Sequence, residues 1–413
     1  MLQPVAVGHK SLADYTHLVG RPLVEEIREL AEALQGLKVL HLSATAFGGG
    51  VSEILYTLVP LMRDVGIEAD WQIMIGREEF YNVTKLMHNS LQGSEQTISD
   101  DEWITYERYN RINALELTDG WDVIIVHDPQ PAAVHQHVPE KARQWVWRCH
   151  IDLSTPNPET IEKLVPMVRD YDDSVFHLQE YVPAALNGAS DMKIHICPPA
   201  IDPLSPKNMA LSPEDAAFVC DQFGVDVDRP LMCQVSRFDP WKDPIGVIDA
   251  YRRVTEELPD VQLALVGSMA TDDPEGWEFF NSTLEYAQGD EDIKILNNLN
   301  NVGAIEVNAF QSQADVVIQK STREGFGLTV SEALWKARPF IGGDVGGIPL
   351  QVKDGETGFL VSSPEQCADR SLEILREPEL GKRLARAGKE HVRQHFLTPR
   401  LLRDWLGIFS NSA

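Results

Sequence analysis

The chain alternates twice between short apolar segments and amphipathic segments, and this pattern constrains its fold more than any other feature. Apolar segments in the first half predict strands at 38–45, 69–76, 122–129, 145–152 and 174–178. They are almost continuously apolar, which is typical of strands buried on both faces of a parallel sheet. Helical periodicity predicts a helix at 21–36, before the first strand, and another at 52–66, between the first two strands, each ended by a glycine.

A Pro- and Ser-rich stretch at 197–213 predicts a linker, and the alternation restarts after it. Predicted strands of the second half lie at 230–238, 261–268, 292–297 and 315–321. Helices are predicted at 243–258, at 328–337 and from about 363 to the end of the chain. The fold class is therefore α/β, with two Rossmann-like halves. Because ligands bind at the carboxyl ends of such strands, two facing halves would place a cleft between them.

The same pattern divides the chain into four parts. They are an N-terminal helical extension at 1–37, a Rossmann-like domain at 38–200, a second one at 213–385, and C-terminal helices at 386–413. We expect the last part to pack back toward the N-terminal domain.

Composition excludes several classes of partner. With 36 Lys and Arg against 63 Asp and Glu, the net charge is −27, which repels nucleic acids. No apolar run reaches the length of a membrane helix, and the first residues do not resemble a secretory signal. Five scattered cysteines without a CxxC pair fit a reducing compartment. We therefore expect a cytoplasmic protein with small-molecule partners, and both a monomer and a homodimer stay open.

A glycine loop, FGGGVSE at 47–53, follows the first predicted strand and precedes a helix. Gly49 and Gly50 let the backbone approach a ligand closely, and a helix N-terminus attracts an anion. A tight turn explains the loop equally well, and the helix dipole alone explains Glu53. The motif matches neither a dinucleotide fingerprint nor an ATP-binding P-loop.

A second loop, SRFDPWKD at 236–243, follows the first strand of the second half. Arg237 and Lys242 bracket it, and two cations on one loop can grip a diphosphate. The alternative is an ordinary exposed loop whose cations pair with Asp239 and Asp243.

The most specific stretch is STREGFGLTVSEALW at 321–335. A turn at Gly325 and Gly327 leads into a helix near Leu328, and its amides form a natural site for phosphate or sugar hydroxyls. Glu324 before the turn and Glu332 inside the helix could flank one elongated ligand. The alternative is one capping glutamate and one solvated glutamate.

Polar pairs also end two strands of the first half, His127–Asp128 and His150–Asp152, where ligands bind in such folds. Two other patterns mimic metal sites. His135 and His137 alternate as on a strand, and three aspartates lie at 170–173, but neither pattern carries a complete ligand set, and we interpret both as solvated. We predict no metal site.

Together, these motifs resemble the retaining GT-B glycosyltransferases of family 4 over roughly 38–400. The spacing from Glu324 to Glu332 matches that family's Glu-x7-Glu signature, and the Arg237/Lys242 loop and the glycine loop also match. More narrowly, GGGVSEIL, HDPQP, WRCHID and STREGFGLTVSEALW resemble the trehalose glycosyltransferring synthases. That family condenses a nucleoside-diphosphate glucose with free glucose to α,α-trehalose, reversibly.

The resemblance implies an acceptor-binding N-terminal domain, a donor-binding C-terminal domain and a role for each motif. Catalytic roles fall to Arg237, Lys242, Glu324 and His150. Donor contacts fall to Gly49, Gly50, Arg237, Lys242, Glu324, Gly325, Phe326, Gly327, Leu328 and Glu332. Acceptor contacts fall to Glu53, Asp128, His150 and Asp152. The donor would be ADP-, UDP- or GDP-glucose, with no cofactor required and stimulation by Mg²⁺ left open.

Two mechanisms and four functions stay open at this point. Front-face attack, with the departing phosphate accepting the proton, is the route that the resemblance favours, and the alternative makes Glu324 a nucleophile. The alternatives to a trehalose-forming transferase are another family 4 transferase, a trehalose phosphorylase that uses phosphate, and a non-catalytic two-domain sugar sensor.

Overall fold

The computed structural model describes residues 2–186, 191–269 and 274–410, and the chain forms two compact units. Unit 1 comprises Met1–Pro199 and Thr398–Ala413, and unit 2 comprises Ala200–Leu397. Each unit is built on one largely or wholly parallel sheet, which confirms the predicted α/β class. Among the helices in the described ranges, none has the length and apolarity needed to cross a membrane.

The sheet of unit 1 has seven strands in the order β1-β3-β2-β4-β5-β6-β7. Its strands are β1 Gln3–Pro4, β2 Lys38–Ser43, β3 Glu68–Ile73, β4 Trp121–His127, β5 Ala142–Arg148, β6 Asp173–Phe176 and β7 Lys193–Ile196. All neighbours are parallel except β1, which pairs antiparallel with β3. The helices are α1 Thr16–Val19, α2 Arg21–Glu32, α3 Gly50–Asp64, α4 Glu78–Leu91, α5 Asp100–Ala114, α6 Val134–His137 and α7 Pro158–Val168.

Unit 2 contains a six-stranded parallel sheet in the order β10-β9-β8-β11-β12-β13, the Rossmann order. Its strands are β8 Leu231–Val235, β9 Gln262–Val266, β10 Ile293–Leu296, β11 Val316–Gln319, β12 Phe340–Gly343 and β13 Phe359–Val361. Its helices are α8 Pro213–Gln222, α9 Pro244–Glu257, α10 Pro274–Ala287, α11 Ala304–Gln313, α12 Leu328–Trp335, α13 Ile348–Gln351, α14 Pro364–Arg376 and α15 Pro378–His395. The last helix of the chain, α16 Thr398–Ser410, belongs to unit 1.

The strand order of each sheet contains one switch point, where two neighbouring strands connect to helices on opposite faces of the sheet. In unit 2 this point lies between β8 and β11, and in unit 1 it lies between β2 and β4. The motifs singled out in the sequence follow these four strands: 236–243 follows β8, 321–327 follows β11, 44–49 follows β2, and His127–Asp128 ends β4.

The terminal segments and the linker are packed more closely than their sequences indicate. The segment at 1–37 joins unit 1, because β1 pairs with β3 and α2 packs against α16. The division at 385/386 falls inside α15, whereas the units divide after Leu397. The stretch at 197–213 is irregular but fixed, since the Asn308 side chain donates to the carbonyls of Pro206 and Met209.

Candidate functional site

At the switch point of unit 2, the loops after β8 and β11 bring Lys242 and Glu324 together. The Nζ of Lys242 donates to Oε2 of Glu324 at 2.7 Å, with 14% and 9% of the two side chains exposed. Ser321 Oγ donates to the same oxygen at 3.3 Å. The two residues are 82 apart in the chain, and the parallel order of β8 and β11 makes them neighbours.

Backbone and side-chain contacts fix Lys242 from both sides. Its N–H donates to Oδ1 of Asp239 at 3.1 Å, and its carbonyl accepts from the buried amide of Gln234 at 2.7 Å. Asp243 next to it has φ +48°, caps α9 through Gly246 N–H, and pairs with the buried Lys320. The alternative of an ordinary exposed loop whose cations pair with Asp239 and Asp243 is therefore wrong for Lys242.

Arg237 occupies a different position from Lys242. Its side chain is 62% exposed, and its Nη2 lies 3.4 Å from Oδ2 of Asp239. The structure thus places this cation on the same loop as Lys242, paired with Asp239 and open to solvent.

Buried residues stabilise the turn that precedes α12. Gly327, at φ +79°, precedes the helix, and a Cβ there would lie 3.2 Å from Cδ of Glu324. The Nε2 of the buried Gln351 donates to the carbonyl of Phe326 at 2.5 Å, while its Oε1 accepts from Ser331 at 2.5 Å. The Phe326 ring is buried against Phe396, so its backbone, not its ring, can serve a ligand.

A second glycine pair supports the same turn. A Cβ on Gly343 would lie 2.1 Å from the carbonyl oxygen of Ser321, and one on Gly347 would lie 2.7 Å from Cα of Phe326. The loop after β12 therefore packs directly on the 321–327 loop and needs glycine at both points. This support was not predicted, although GGDVGG at 342–347 carries a signal for close backbone approach.

Glu332 is fully buried inside α12, so the alternative of a solvated helix glutamate is wrong. Its Oε1 lies 3.0 Å from Nζ of Lys207, a residue of the stretch at 197–213. Lys336 lies one turn further and donates to Oδ1 of Asn208 at 3.1 Å and to Oε1 of Gln311 at 2.9 Å. Burial lowers the pKa of Lys336 to about 7, although Glu332 acts in the opposite direction. Glu324 and Glu332 thus each face a different lysine.

In unit 1, the glycine loop at 47–53 leads into α3, and the space beside Gly49 is open. Gly48 has φ +80°, which a turn requires, but Gly49 is extended, and a Cβ there would meet nothing within 4 Å. Ser52 Oγ donates to the Gly49 carbonyl at 2.8 Å, and Glu53 lies exposed in the first turn. The turn therefore requires glycine at position 48 but not at position 49. The open space beside Gly49 allows a ligand to approach the backbone closely there.

Three histidines on neighbouring strands of unit 1 form a hydrogen-bonded row. The Nδ1 of His41 lies 3.0 Å from Nε2 of His127, whose Nδ1 lies 2.9 Å from Nε2 of His150. Burial lowers the pKa of His41 to about 3, and burial with the nearby charge of Arg148 holds the pKa values of His127 and His150 well below the usual range. The row is therefore neutral near pH 7.

Asp128 and Asp152 hold the backbone around this row. Asp128, at φ +67°, accepts the His150 N–H on Oδ1 at 2.7 Å, and burial raises its pKa to about 7. Its carbonyl accepts from the Trp147 indole at 3.0 Å. Asp152 is buried and accepts the Ser154 N–H at 2.8 Å. Both carboxylates thus shape the loop that carries His150.

The two patterns that mimic metal sites have structural roles. His135 and His137 lie in the helical turn α6, not on a strand, and His135 is buried against Trp145 and Tyr171. Asp173 is also buried, where it binds Gln144 at 2.7 Å and His195 at 2.6 Å, so the prediction of a solvated turn is wrong for it.

Comparison with known proteins identifies the family. Residues 41–183 match the profile described as trehalose synthase, N-terminal domain, and residues 219–391 match glycosyl transferases group 1. A trehalose synthase of Rubrobacter xylanophilus is 56% identical over 99% of both chains, and one of Pyrococcus horikoshii is 47% identical over 98% of this chain and 97% of that protein.

Two more distant proteins are similar to this chain, one in sequence and one in structure. A trehalose phosphorylase of Pleurotus pulmonarius is 25% identical over 96% of this chain, which spans 60% of that protein. A solved α,α-trehalose 6-phosphate synthase of Burkholderia multivorans superposes with a TM-score of 0.70 at 16% identity, covering 92% of this chain and 98% of the other. The fold is therefore GT-B, and the chain belongs to the trehalose synthase family of group 1 glycosyltransferases.

Proposed function

We propose that the protein transfers glucose from a nucleoside-diphosphate glucose to free glucose, giving α,α-trehalose reversibly and with retention at the anomeric carbon. Membership of the trehalose synthase family supports the product. The observation that carries the chemistry is the Lys242 ammonium on Glu324, directly beside the turn that begins α12.

The charge on this loop suits a diphosphate leaving group. As the glycosidic bond stretches, negative charge grows on the diphosphate, and fixed cations and helix-end amides stabilise it more in the transition state than in the ground state. Lys242 is fixed by its loop, and Arg237 is an exposed cation on the same loop. The amides of Gly325, Phe326, Gly327 and Leu328 complete the donor contacts in this proposal.

We assign Glu324 as a binding group and not as a nucleophile. Its Oε2 already accepts hydrogen bonds from Lys242 and Ser321, and such contacts reduce the nucleophilicity of a carboxylate. In this role its carboxylate binds hydroxyls of the donor glucose. Front-face attack then needs no carboxylate base, because the departing phosphate accepts the proton of the incoming hydroxyl.

The remaining contacts follow the same proposal. Glu332 binds the ribose hydroxyls, which requires its carboxylate to exchange or share its contact with Lys207. In unit 1, Gly49 and Gly50 approach the diphosphate, His150 and Asp152 contact the sugar near the reacting carbon, and Glu53 and Asp128 bind the acceptor. No resident metal takes part, and any effect of Mg²⁺ is stimulation.

A donor screen tests this function. ADP-, UDP- and GDP-glucose are each incubated with free glucose, and the product is identified by NMR with its anomeric configuration. We expect an α,α-linked disaccharide from at least one nucleotide donor, and we expect it to form in the presence of a chelator as well. Turnover of glucose 1-phosphate with none of the nucleotide sugars would establish a phosphorylase instead, and binding of sugar without turnover would establish a sensor.

A further inference from the structure

The histidine row of unit 1 ends on a methionine. The Nε2 of His41 lies 3.5 Å from Sδ of Met62 in α3, and both side chains are fully buried. From there the row runs through His127 to His150, which is half-buried. A continuous line of contacts thus joins Met62 to the ring that we place at the sugar.

The protons on this row can be counted. Each neutral imidazole carries one N–H, and each of the two nitrogen–nitrogen contacts needs one proton between its atoms. Only two arrangements of the whole row satisfy both contacts. In one, the protons lie on Nε2 of all three rings, and in the other they lie on Nδ1 of all three.

Met62 distinguishes these two arrangements. A thioether sulfur accepts a hydrogen bond and has no proton to donate. With the protons on Nε2, His41 donates to Met62, His127 donates to His41, and His150 donates to His127. The reverse arrangement turns a bare nitrogen toward sulfur in a fully buried place, which leaves it a minor population, on the order of a tenth or less.

We propose that Met62, His41 and His127 are positioning residues that hold His150 as the Nε2–H tautomer, so that its Nδ1 presents a lone pair to the substrate. His150 then accepts a hydrogen bond from a sugar hydroxyl. An analogue that carries fluorine, a ketone or a carboxylate at that position offers no proton and is rejected. Only the identity of the substrate rests on the proposed function, because the tautomer exists without substrate.

Nitrogen-15 NMR of the histidine-labelled full chain tests this assignment, because protonated and bare ring nitrogens differ in chemical shift. We expect a bare Nδ1 and a protonated Nε2 on His150, His127 and His41. A proton on Nδ1 of His150 would overturn the proposal without any assay of activity.

The variant Met62→Leu removes the sulfur at similar volume, and Met87→Leu makes the same change at another fully buried position of unit 1. We expect Met62→Leu to shift the His150 signals toward a mixture of tautomers, with Met87→Leu unchanged. An unshifted spectrum would overturn the role of Met62, and should this variant fail to fold, the wild-type spectrum still decides the tautomer.

Activity provides a separate readout. If half of the Met62→Leu molecules hold His150 in the wrong tautomer, only the other half can accept the sugar hydroxyl. The value of kcat/KM for the sugar then falls about two-fold. A chain that turns over no sugar at all contradicts the proposed function and leaves the NMR result standing. A wild-type rate with a mixed His150 spectrum would contradict the link from tautomer to substrate.

Discussion

Replacing Lys242 by methionine tests the donor site of unit 2 most sharply. Methionine keeps the apolar stem and removes the charge that lies 2.7 Å from Glu324. At an effective dielectric constant of about 20, unit charges at this distance attract by ~6 kcal/mol, most of which desolvation offsets. Because Glu324 loses its cation, we expect Lys242→Met to lower the free energy of unfolding by about 2–4 kcal/mol.

The effect on turnover has a separate cause. One preorganised group opposite developing negative charge contributes about 3–4 kcal/mol to the transition state, so we expect kcat to fall roughly 10²–10³-fold. Steady-state rates of trehalose formation and denaturant unfolding measure the two effects. The double variant Lys242→Met/Glu324→Gln should regain stability, since no unpaired carboxylate remains, but not activity.

Lys382→Met is the matched control for this change. Its Nζ lies 2.8 Å from Glu379, but 63% and 82% of the two side chains are exposed, so its loss should cost less than about 1 kcal/mol. A folded Lys242→Met protein with kcat within two-fold of wild type would refute the role of this cation in the transition state.

Three further changes have defined outcomes. Glu332→Gln should weaken binding of the nucleotide sugar more than binding of glucose in calorimetry, and equal losses would contradict the ribose assignment. Asp128 has a raised pKa of about 7, so the folded state holds a proton that the unfolded state has released. In denaturant titrations, the free energy of unfolding of the wild type, taken relative to that of Asp128→Asn, should therefore fall by about 2–4 kcal/mol from pH 4 to pH 8. A difference that does not change with pH would refute the raised pKa. Gly343→Ala should destabilise the folded protein by about 2–4 kcal/mol, because the new Cβ would meet the Ser321 carbonyl. Gly407→Ala is the control, because the space around Gly407 is open, and it should not destabilise the protein. Equal melting temperatures for the two variants would contradict the close approach at Gly343.

The apolar segments predicted nine strands correctly, whereas β1, β7, β12 and β13 were not predicted. Every apolar segment interpreted as a strand is one, because burial on both faces of a parallel sheet leaves a continuous apolar run. Length alone does not separate the two groups, because β6, β10 and β11 have four residues, as β12 does. Two glycines interrupt the apolar run of β12, β7 is only partly buried, and β1 and β13 have two and three residues. Only two residues separate α15 from α16, so nothing in the sequence marks the change from unit 2 to unit 1 there.

The candidate site was predictable where a loop motif carries it. Lys242 and Glu324 each follow a strand at the switch point, and their motifs are visible without a structure. His41 was missed because it is one polar residue in an apolar strand, and only the neighbouring strands reveal the row to which it belongs. Lys207 lies in an irregular stretch, where no period points to its contact with Glu332.

The central claim is that Lys242 and the amides at the start of α12 hold the leaving diphosphate. A crystal structure with a bound nucleoside diphosphate measures this directly. We expect phosphate oxygens within hydrogen-bond distance of Lys242 Nζ and of the Leu328 N–H, with the ribose on Glu332. A diphosphate bound elsewhere, with Lys242 still on Glu324 and apart from the phosphates, would contradict the account.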